Sequence, residues 1–423
     1  MNMLKVVWVC HFSDSKTREY IEFSRFYYKR VINALLKRPE EISKDFAVWN
    51  TNAIKVFETY KDIELTVVFP HKGIKGKSQS FAINGIKYIC FRSEDDYLFP
   101  YIFNRFLKKT CRTFQKNRRF VKCVFREIKP DIIHIIGAEN PYYSITALDV
   151  PENTPSIVSL QTLLSAPDFF SNYPITESDY AFRSSVEKNV IMRCDYVGTI
   201  IEKYRDIICR DIKPNASFIS IRLAVGVEID EAYTDKRYDF VYFSANISKA
   251  ADYAIEAFAL ALAVFPNITL NISGAYTYED KAELDRRLEE LGIKGSVFFT
   301  GEQPTHMDVL THIKQSRFAL LPLKVDMISG TIREAMACGL PVVTTRTELT
   351  PELNCKRESV LLSDIGNHQE MANNMLLLLQ NEQKADELRE NGFLTVREKY
   401  SNSAIMGNWR KVYYEIIKGN ELH

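Results

Sequence analysis

Residues 321–352 read LPLKVDMISGTIREAMACGLPVVTTRTELTPE. An apolar run ends at Pro322, a loop carries Asp326, and Ser329-Gly330-Thr331 opens a helical stretch that Gly339 closes before the apolar run Val342 to Thr345. Strand, loop, helix and strand in that order form the unit from which parallel sheets with crossover helices are built. Ser329 is a good N-cap and Gly330 permits close approach, so the free N–H groups of this helix start make an anion site. Glu334 lies near the start of the helix, and Asp326 lies eight residues before it on the loop. An anion site between two carboxylates suits a ligand with one phosphate region and hydroxyls on either side, a nucleotide sugar. The competing reading of the same spacing is that serine caps, glycine closes and the acids complement the helix dipole.

Outward from this segment, short apolar runs alternate with amphipathic stretches, the α/β signature. In the first half, strands are expected at Leu4–Cys10, Leu65–Phe69, Ile86–Phe91, Ile132–Ile136, Ser156–Leu160 and Tyr196–Ile200, with long helices such as Arg18–Leu36 and Tyr101–Ile128. In the second half the expected strands are Phe240–Phe243, Thr269–Ser273, Val297–Phe299, Phe318–Pro322 and Val342–Thr345. The helices between them are Ala250–Ala263, Asp280–Leu291, Met307–Lys314 and Thr331–Cys338. Two such series predict two doubly wound domains. The polar stretch Glu228–Asp239 is the linker candidate, which divides the chain into 1–228 and 229–402. Six glycines precede the linker and ten follow it, so close backbone approach to a ligand is expected mainly in the second domain.

The composition sets outer bounds. In 423 residues, 46% are hydrophobic and 26% charged, with 55 Lys and Arg against 54 Asp and Glu. Those fractions exclude disorder and fibrous classes, and the near-zero net charge argues against a dedicated nucleic-acid binder. The eight cysteines show no C-x-x-C pair and read as buried thiols of a reducing compartment. No secretory signal and no span of ~18 apolar residues is visible, so the expectation is a cytoplasmic protein, either free or peripheral at the inner face of a membrane.

At this point the chain resembles a known family. Asp326-x7-Glu334 followed by AMACGLPVV is similar to the E-x7-E signature of group 1 retaining glycosyltransferases of the GT-B fold. Further likenesses are KAADYAIEAF at 249–258, Ile272-Ser273-Gly274, Phe299-Thr300-Gly301, KPDIIH at 129–134, Gly226-Val227-Glu228 and Pro351-Glu352. The resemblance implies two Rossmann-like domains facing across a cleft, an acceptor side at 1–228 and a nucleotide-sugar side at 229–402. It also implies that a last helix, over Ala404–Ile417 with Trp409 and Tyr413, returns so that 403–423 packs on the first domain.

The same resemblance assigns roles to matching positions. Glu334 would bind the donor ribose, Asp326 the transferred sugar, and Ser329, Gly330 and Thr331 the diphosphate. Lys249 would neutralise the leaving diphosphate, and Asn246, Gly274 and Gly301 would line the donor site. The implied activity is transfer from a nucleotide-diphosphate sugar to a glycan or lipid-linked acceptor with retention, of the kind used in bacterial surface polysaccharide synthesis. Attack on the same face would pass the acceptor's proton to the donor phosphate. No cofactor is implied, and without a D-x-D motif at a strand end no metal is expected. Nucleotide-sugar 2-epimerases share the fold, and a non-catalytic donor-binding protein is a third reading.

The sequence also departs from the family. Asp326 stands where glutamate is usual, and Ser244 or Asn246 occupies the place of an arginine that normally accompanies the lysine. Lys16, Lys324 and Arg333 are the cations available to replace it. The loop after the first strand has no glycine, and Gln161 stands where the family often has histidine. His11, Glu139 and Gln161, each just beyond an expected strand of the first domain, are acceptor-side candidates, with Asn140 and Tyr142 beside Glu139. His134, inside an apolar strand pattern, reads as a core histidine.

One charge feature is hidden by the total. Ten of the twenty-five residues from Arg105 to Lys129 are Lys or Arg, and Glu127 is the only acid. Phe103, Phe106, Leu107, Phe114, Val121, Val124, Phe125 and Ile128 recur at helical spacing on the other face. Beside the aromatic stretch Tyr97–Phe103, this pattern over 101–129 fits either an interfacial contact with anionic lipid or an ordinary core-facing helix with a solvated basic face.

Overall fold

The computed structural model describes residues 3–24, 45–97, 113–166, 176–224, 234–246, 250–324 and 329–419. The chain divides into two compact units, Met1–Val225 with Ile405–His423, and Gly226–Ala404.

The first unit contains β1 (Leu4–Val9), the short α1 (Ser15–Arg18), α2 (Val48–Phe57), β2 (Ile63–Pro70), β3 (Ser78–Ile83), β4 (Ile86–Phe91), α3 (Gln115–Ile128) and β5 (Ile132–Ile136). It continues with α4 (Pro141–Ser144), β6 (Ser156–Ser159), α5 (Glu177–Arg193), β7 (Tyr196–Gly198), α6 (Glu202–Asp211) and β8 (Ser217–Ile219). The sheet order is β3-β4-β2-β1-β5-β6-β7-β8, parallel except for the antiparallel edge strand β3. Its strands are buried on both faces, as expected of a parallel sheet covered by helices.

The second unit contains β9 (Tyr238–Asn246), α7 (Ala251–Val264), β10 (Leu270–Ala275), α8 (Tyr278–Glu290), β11 (Val297–Gly301), α9 (His306–Ile313), β12 (Ser316–Leu321), α10 (Gly330–Ala337), β13 (Val342–Arg346), β14 (Val360–Asp364), α11 (His368–Gln380) and α12 (Glu382–Thr395). The order β11-β10-β9-β12-β13-β14, all parallel, is the doubly wound 3-2-1-4-5-6 arrangement. A π-turn at Val396–Tyr400 leads into α13 (Asn402–Lys418).

All the strands expected in the first half are present, with ends shifted by at most two residues. Three strands went unread, β14 of the second unit and two of the first. β3 is a polar edge strand, yet Asn84-Gly85, with φ of 51° and 85°, is the two-residue hairpin turn that announces it. β8 is only three residues long. Between Arg18 and Ser24, where a helix was expected, the chain turns and Phe23 bridges Ile74, because tertiary packing captures these apolar side chains. The rest of that expected helix, and 101–112 of the basic one, lie outside the described residues. The linker reading is shortened at its end, since Tyr238 and Asp239 already belong to β9. Four of the described thiols, Cys10, Cys90, Cys194 and Cys338, are buried as expected, whereas Cys123 and Cys355 are exposed; all seven described cysteines are free.

The returning helix α13 is built into the first unit's core. Trp409 and Tyr413 are fully buried against Trp8, Phe57 and His134. The Tyr413 hydroxyl accepts from Trp8 Nε1 at 2.9 Å and meets His134 Nδ1 at 2.6 Å, while His134 Nε2 bonds Ser159 Oγ. At the rim, Asp62 takes Arg410 through two contacts of 2.6 and 3.0 Å and the Tyr414 hydroxyl at 2.6 Å. His134 is therefore the core histidine that its pattern indicated. Burial lowers its pKa to about 3. A depressed native pKa contributes stability in full above about pH 6.5, and that stability drains as pH falls towards 3. All three tryptophans, Trp8, Trp49 and Trp409, lie in this unit, so denaturation followed by their fluorescence reports on it. His134→Asn is expected to remove about one proton of uptake on unfolding, flattening the stability slope between pH 6 and 4 by ~1.4 kcal/mol per pH unit. An unchanged slope would show that the network does not hold the ring neutral.

Candidate donor and acceptor sites

In the second unit the strand order reverses between β9 and β12. Open α/β sheets bind ligands beyond the carboxyl ends of the strands at such a switch point. The chain leaving β9 runs through Asn246 to Lys249, and the chain leaving β12 runs through Asp326 to Ser329. Both central candidates therefore belong to the two loops that issue from the switch point. Lys249, Asp326 and the side chain of Asn246 lie outside the described residues.

The start of α10 is described. Ser329, in extended conformation, caps the helix by accepting from the Thr331 amide at 3.3 Å, and the two hydroxyls meet at 2.7 Å. The first-turn N–H groups have no intrahelical acceptors and carry the positive end of the helix dipole. Glu334 sits one turn further on, only 9% exposed. Burial raises its pKa, and Arg333 and His306 oppose that rise. His306 opens α9 and brings Nε2 to 3.8 Å from Glu334 Oε1. Sequence reading passed over His306 because it lies twenty-eight residues away, on a different crossover.

Gly274 and Gly301 end β10 and β11 with φ of 141° and 70°. Ser273 Oγ donates to the Gly301 carbonyl at 3.2 Å, which links the two strand ends. Behind them Asn271, Thr300 and His312 form a closed triangle of contacts at 2.8 to 2.9 Å that fixes the β11–α9 connection. At the other end of α10, Gly339 has φ +72° and a Cβ there would meet Phe393 Cζ at 2.8 Å, so the glycine of the AMACG segment is a packing requirement.

The cations proposed to replace the missing arginine are engaged elsewhere. Lys324 pairs with Asp252 at 2.7 Å and lies over the Tyr253 ring, Arg333 lies over Tyr400, and Lys16 belongs to the first unit, 3.9 Å from Glu58. Glu352 is held by Lys399 at 2.6 Å, in keeping with a structural role.

In the first unit the order reverses between β1 and β5; Glu139 and Gln161 converge on Gly137 there, and His11 lies against Tyr142 and Tyr143. His11 follows β1, stacks on Phe46 and contacts the Tyr142 hydroxyl through Nδ1 at 2.8 Å. Burial, reinforced by Lys72 and His71, lowers its pKa to about 4, so it is neutral at physiological pH. Glu139 follows β5 and is buried. Its Oε1 accepts from Asn140 Nδ2 at 2.9 Å and from the Tyr143 hydroxyl at 3.3 Å, while Oε2 has no hydrogen-bond partner among the described residues. Desolvation, with repulsion from Glu187, raises its pKa. Gln161 follows β6 and converges with Glu139 on Gly137, at φ +99°. A Cβ there would fall on the Tyr143 hydroxyl, 2.8 Å from Glu139 Oε2 and 3.0 Å from Gln161 Nε2. Among the glycines whose surroundings are described, Gly137 has the tightest, and it lies in the glycine-poor unit.

The described part of the basic segment, α3, buries Val121, Val124 and Phe125 in the core. Asp149 engages Arg118 at 2.7 Å and Lys122 at 3.5 Å, leaving Lys116, Arg126 and Lys129 exposed on its outer side. No helix among the described residues is long and apolar enough to cross a membrane.

Comparison with known proteins agrees with this geometry. Residues 228–395 match the family described as glycosyl transferases group 1. The N-acetyl-alpha-D-glucosaminyl L-malate synthase of Bacillus anthracis is 25% identical over 134 residues, which are 32% of this chain and 34% of that enzyme. The match therefore spans about a third of that relative's length. Among solved structures, a sucrose-phosphate synthase from Thermosynechococcus elongatus superposes with a TM-score of 0.62 at 14% identity, covering 99% of this chain and 100% of its own. The Anabaena protein HepE, solved with UDP and glucose, gives 0.60 at 15% identity over 98% and 100%. The second unit thus carries a match to the group 1 glycosyltransferases over residues 228–395, and the fold of the chain is that of the GT-B glycosyltransferases.

Proposed function

We propose that this chain transfers a sugar from a nucleotide-diphosphate sugar to a glycan or lipid-linked acceptor with retention at the anomeric carbon, in surface polysaccharide synthesis. The observation that carries the proposal is the Ser329-capped start of α10, with buried Glu334 one turn on, at the switch point of the second unit. Diphosphate oxygens take the first-turn N–H groups and Glu334 takes the ribose hydroxyls. As the bond from the anomeric carbon to the diphosphate breaks, the acceptor oxygen attacks the same face and its proton passes to the leaving phosphate. Lys249 offsets the charge that builds there, and Asp326 orients the transferred sugar. The reaction needs no metal in this reading. HepE with UDP and glucose is a precedent for such a donor on this fold.

The test is a thermal-shift screen of UDP-, GDP- and ADP-sugars, followed by product analysis with the best donor. Donor binding with neither transfer nor hydrolysis would overturn the transferase reading, and conversion to the 2-epimer would replace it.

The acceptor side is the first unit, around His11, Glu139 and Gln161, in a cytoplasmic protein that meets the inner membrane face through the exposed cations of α3. Flotation with vesicles containing anionic lipid is expected at low salt and is lost at high salt. No flotation under either condition would leave α3 as a solvated core helix.

A further inference from the structure

The donor carboxylate is not ionised without cost. Glu334 is nearly buried, and the charged groups around it are few. On its own helix Arg333 also favours the carboxylate's charge, with its guanidinium 5.8 Å from the Tyr400 ring. From the π-turn Lys399 is committed to Glu352, and from α12 Arg389 is committed to the Gly339 carbonyl and Asp386. From α9, His306 directs an ionisable nitrogen at the carboxylate, at 3.8 Å, and its side chain remains 45% exposed. The first turn of α9 is itself fixed by the Thr305–Asp308 capping box, so Asp308 is occupied and the His306 backbone is held. The β11–α9 connection is anchored by the Asn271–Thr300–His312 triangle.

We propose that His306 is a positioning residue for the donor site, holding the Glu334 carboxylate ionised and oriented towards the donor's sugar hydroxyls from a separate crossover. This rests on the reading of Glu334 as a nucleotide-sugar ligand. Because the cation acts through Glu334, its influence depends on pH. A protonated imidazole favours the charged carboxylate, whereas a neutral one offers only a contact.

The experiment is titration of the whole protein with UDP, GDP and ADP from pH 5 to 8, using wild type, His306→Ala, His306→Gln and Glu334→Gln. Binding of the preferred nucleotide is expected to weaken about tenfold at pH 5.5 in His306→Ala, with its acid limb moved to higher pH and a smaller change at pH 8. His306→Gln is expected to recover the pH 8 affinity and keep the displaced acid limb, which a purely structural role would not produce. An acid limb unmoved in both His306 variants overturns the proposal. Glu334→Gln binding like wild type would instead overturn the underlying reading of Glu334, and the two failures are distinguishable.

Discussion

Glu334→Ala is expected to reduce kcat/KM for sugar transfer by at least about a hundredfold, equivalent to ~3 kcal/mol, while leaving the melting temperature unchanged or slightly raised. The two halves of this expectation share one cause. A carboxylate that is 9% exposed, with its pKa raised by burial, gives little to the unliganded fold, because its desolvation opposes its charge. Once hydroxyls of a donor bond to it, the same desolvation makes each charge-assisted bond strong, in the range of ~1.5–3 kcal/mol. Activity measured at saturating and limiting donor, together with calorimetry of the free protein, checks both. Wild-type kcat/KM would remove Glu334 from the donor site, and a large loss of stability would make it a structural residue.

Gly137→Ala is the second large effect, and it acts through the fold. The substitution places a Cβ against the Tyr143 hydroxyl, Glu139 Oε2 and Gln161 Nε2 at a backbone φ of +99°. Left-handed backbone costs ~1–2 kcal/mol and overpacking a further ~1–3, so the first unit should lose about 3 kcal/mol. Tryptophan fluorescence during denaturation measures this directly. Transfer is expected to fall at least tenfold because Glu139 and Gln161 must move apart, while nucleotide affinity in the second unit stays at the wild-type level. Stability within about 0.5 kcal/mol of wild type would mean that the junction of β5 and β6 yields easily and does not hold an acceptor site rigid.

These effects distinguish what each level of structure contributes. The segment 321–352 carried its own reading because cap, helix, closing glycine and buried strand are local features set by neighbouring residues. Core periodicity likewise announced the strands that line the two switch points, and the burial of Trp409 and Tyr413 matches the returning helix implied by the family resemblance. The unread pieces include the edge strand β3, the three-residue β8, the apolar edge strand β14, and the turn at residues 19–24, where packing overrode helical periodicity.

The sequence by itself therefore determined the two β/α series, the capped helix start and the carboxylate one turn into it, because these depend on spacings of a few residues. Only the tertiary structure decided which distant residues share a site. It brought His306 to Glu334, gathered Glu139 and Gln161 around Gly137, and stacked His11 on Tyr143. It also committed Lys324 and Lys122 to Asp252 and Asp149, removing from the count cations that the sequence left available. The physical reason is that burial and pairing depend on crossovers closing over separations of tens of residues. Sequence spacing does not record which side chains those closures bring within a few ångströms.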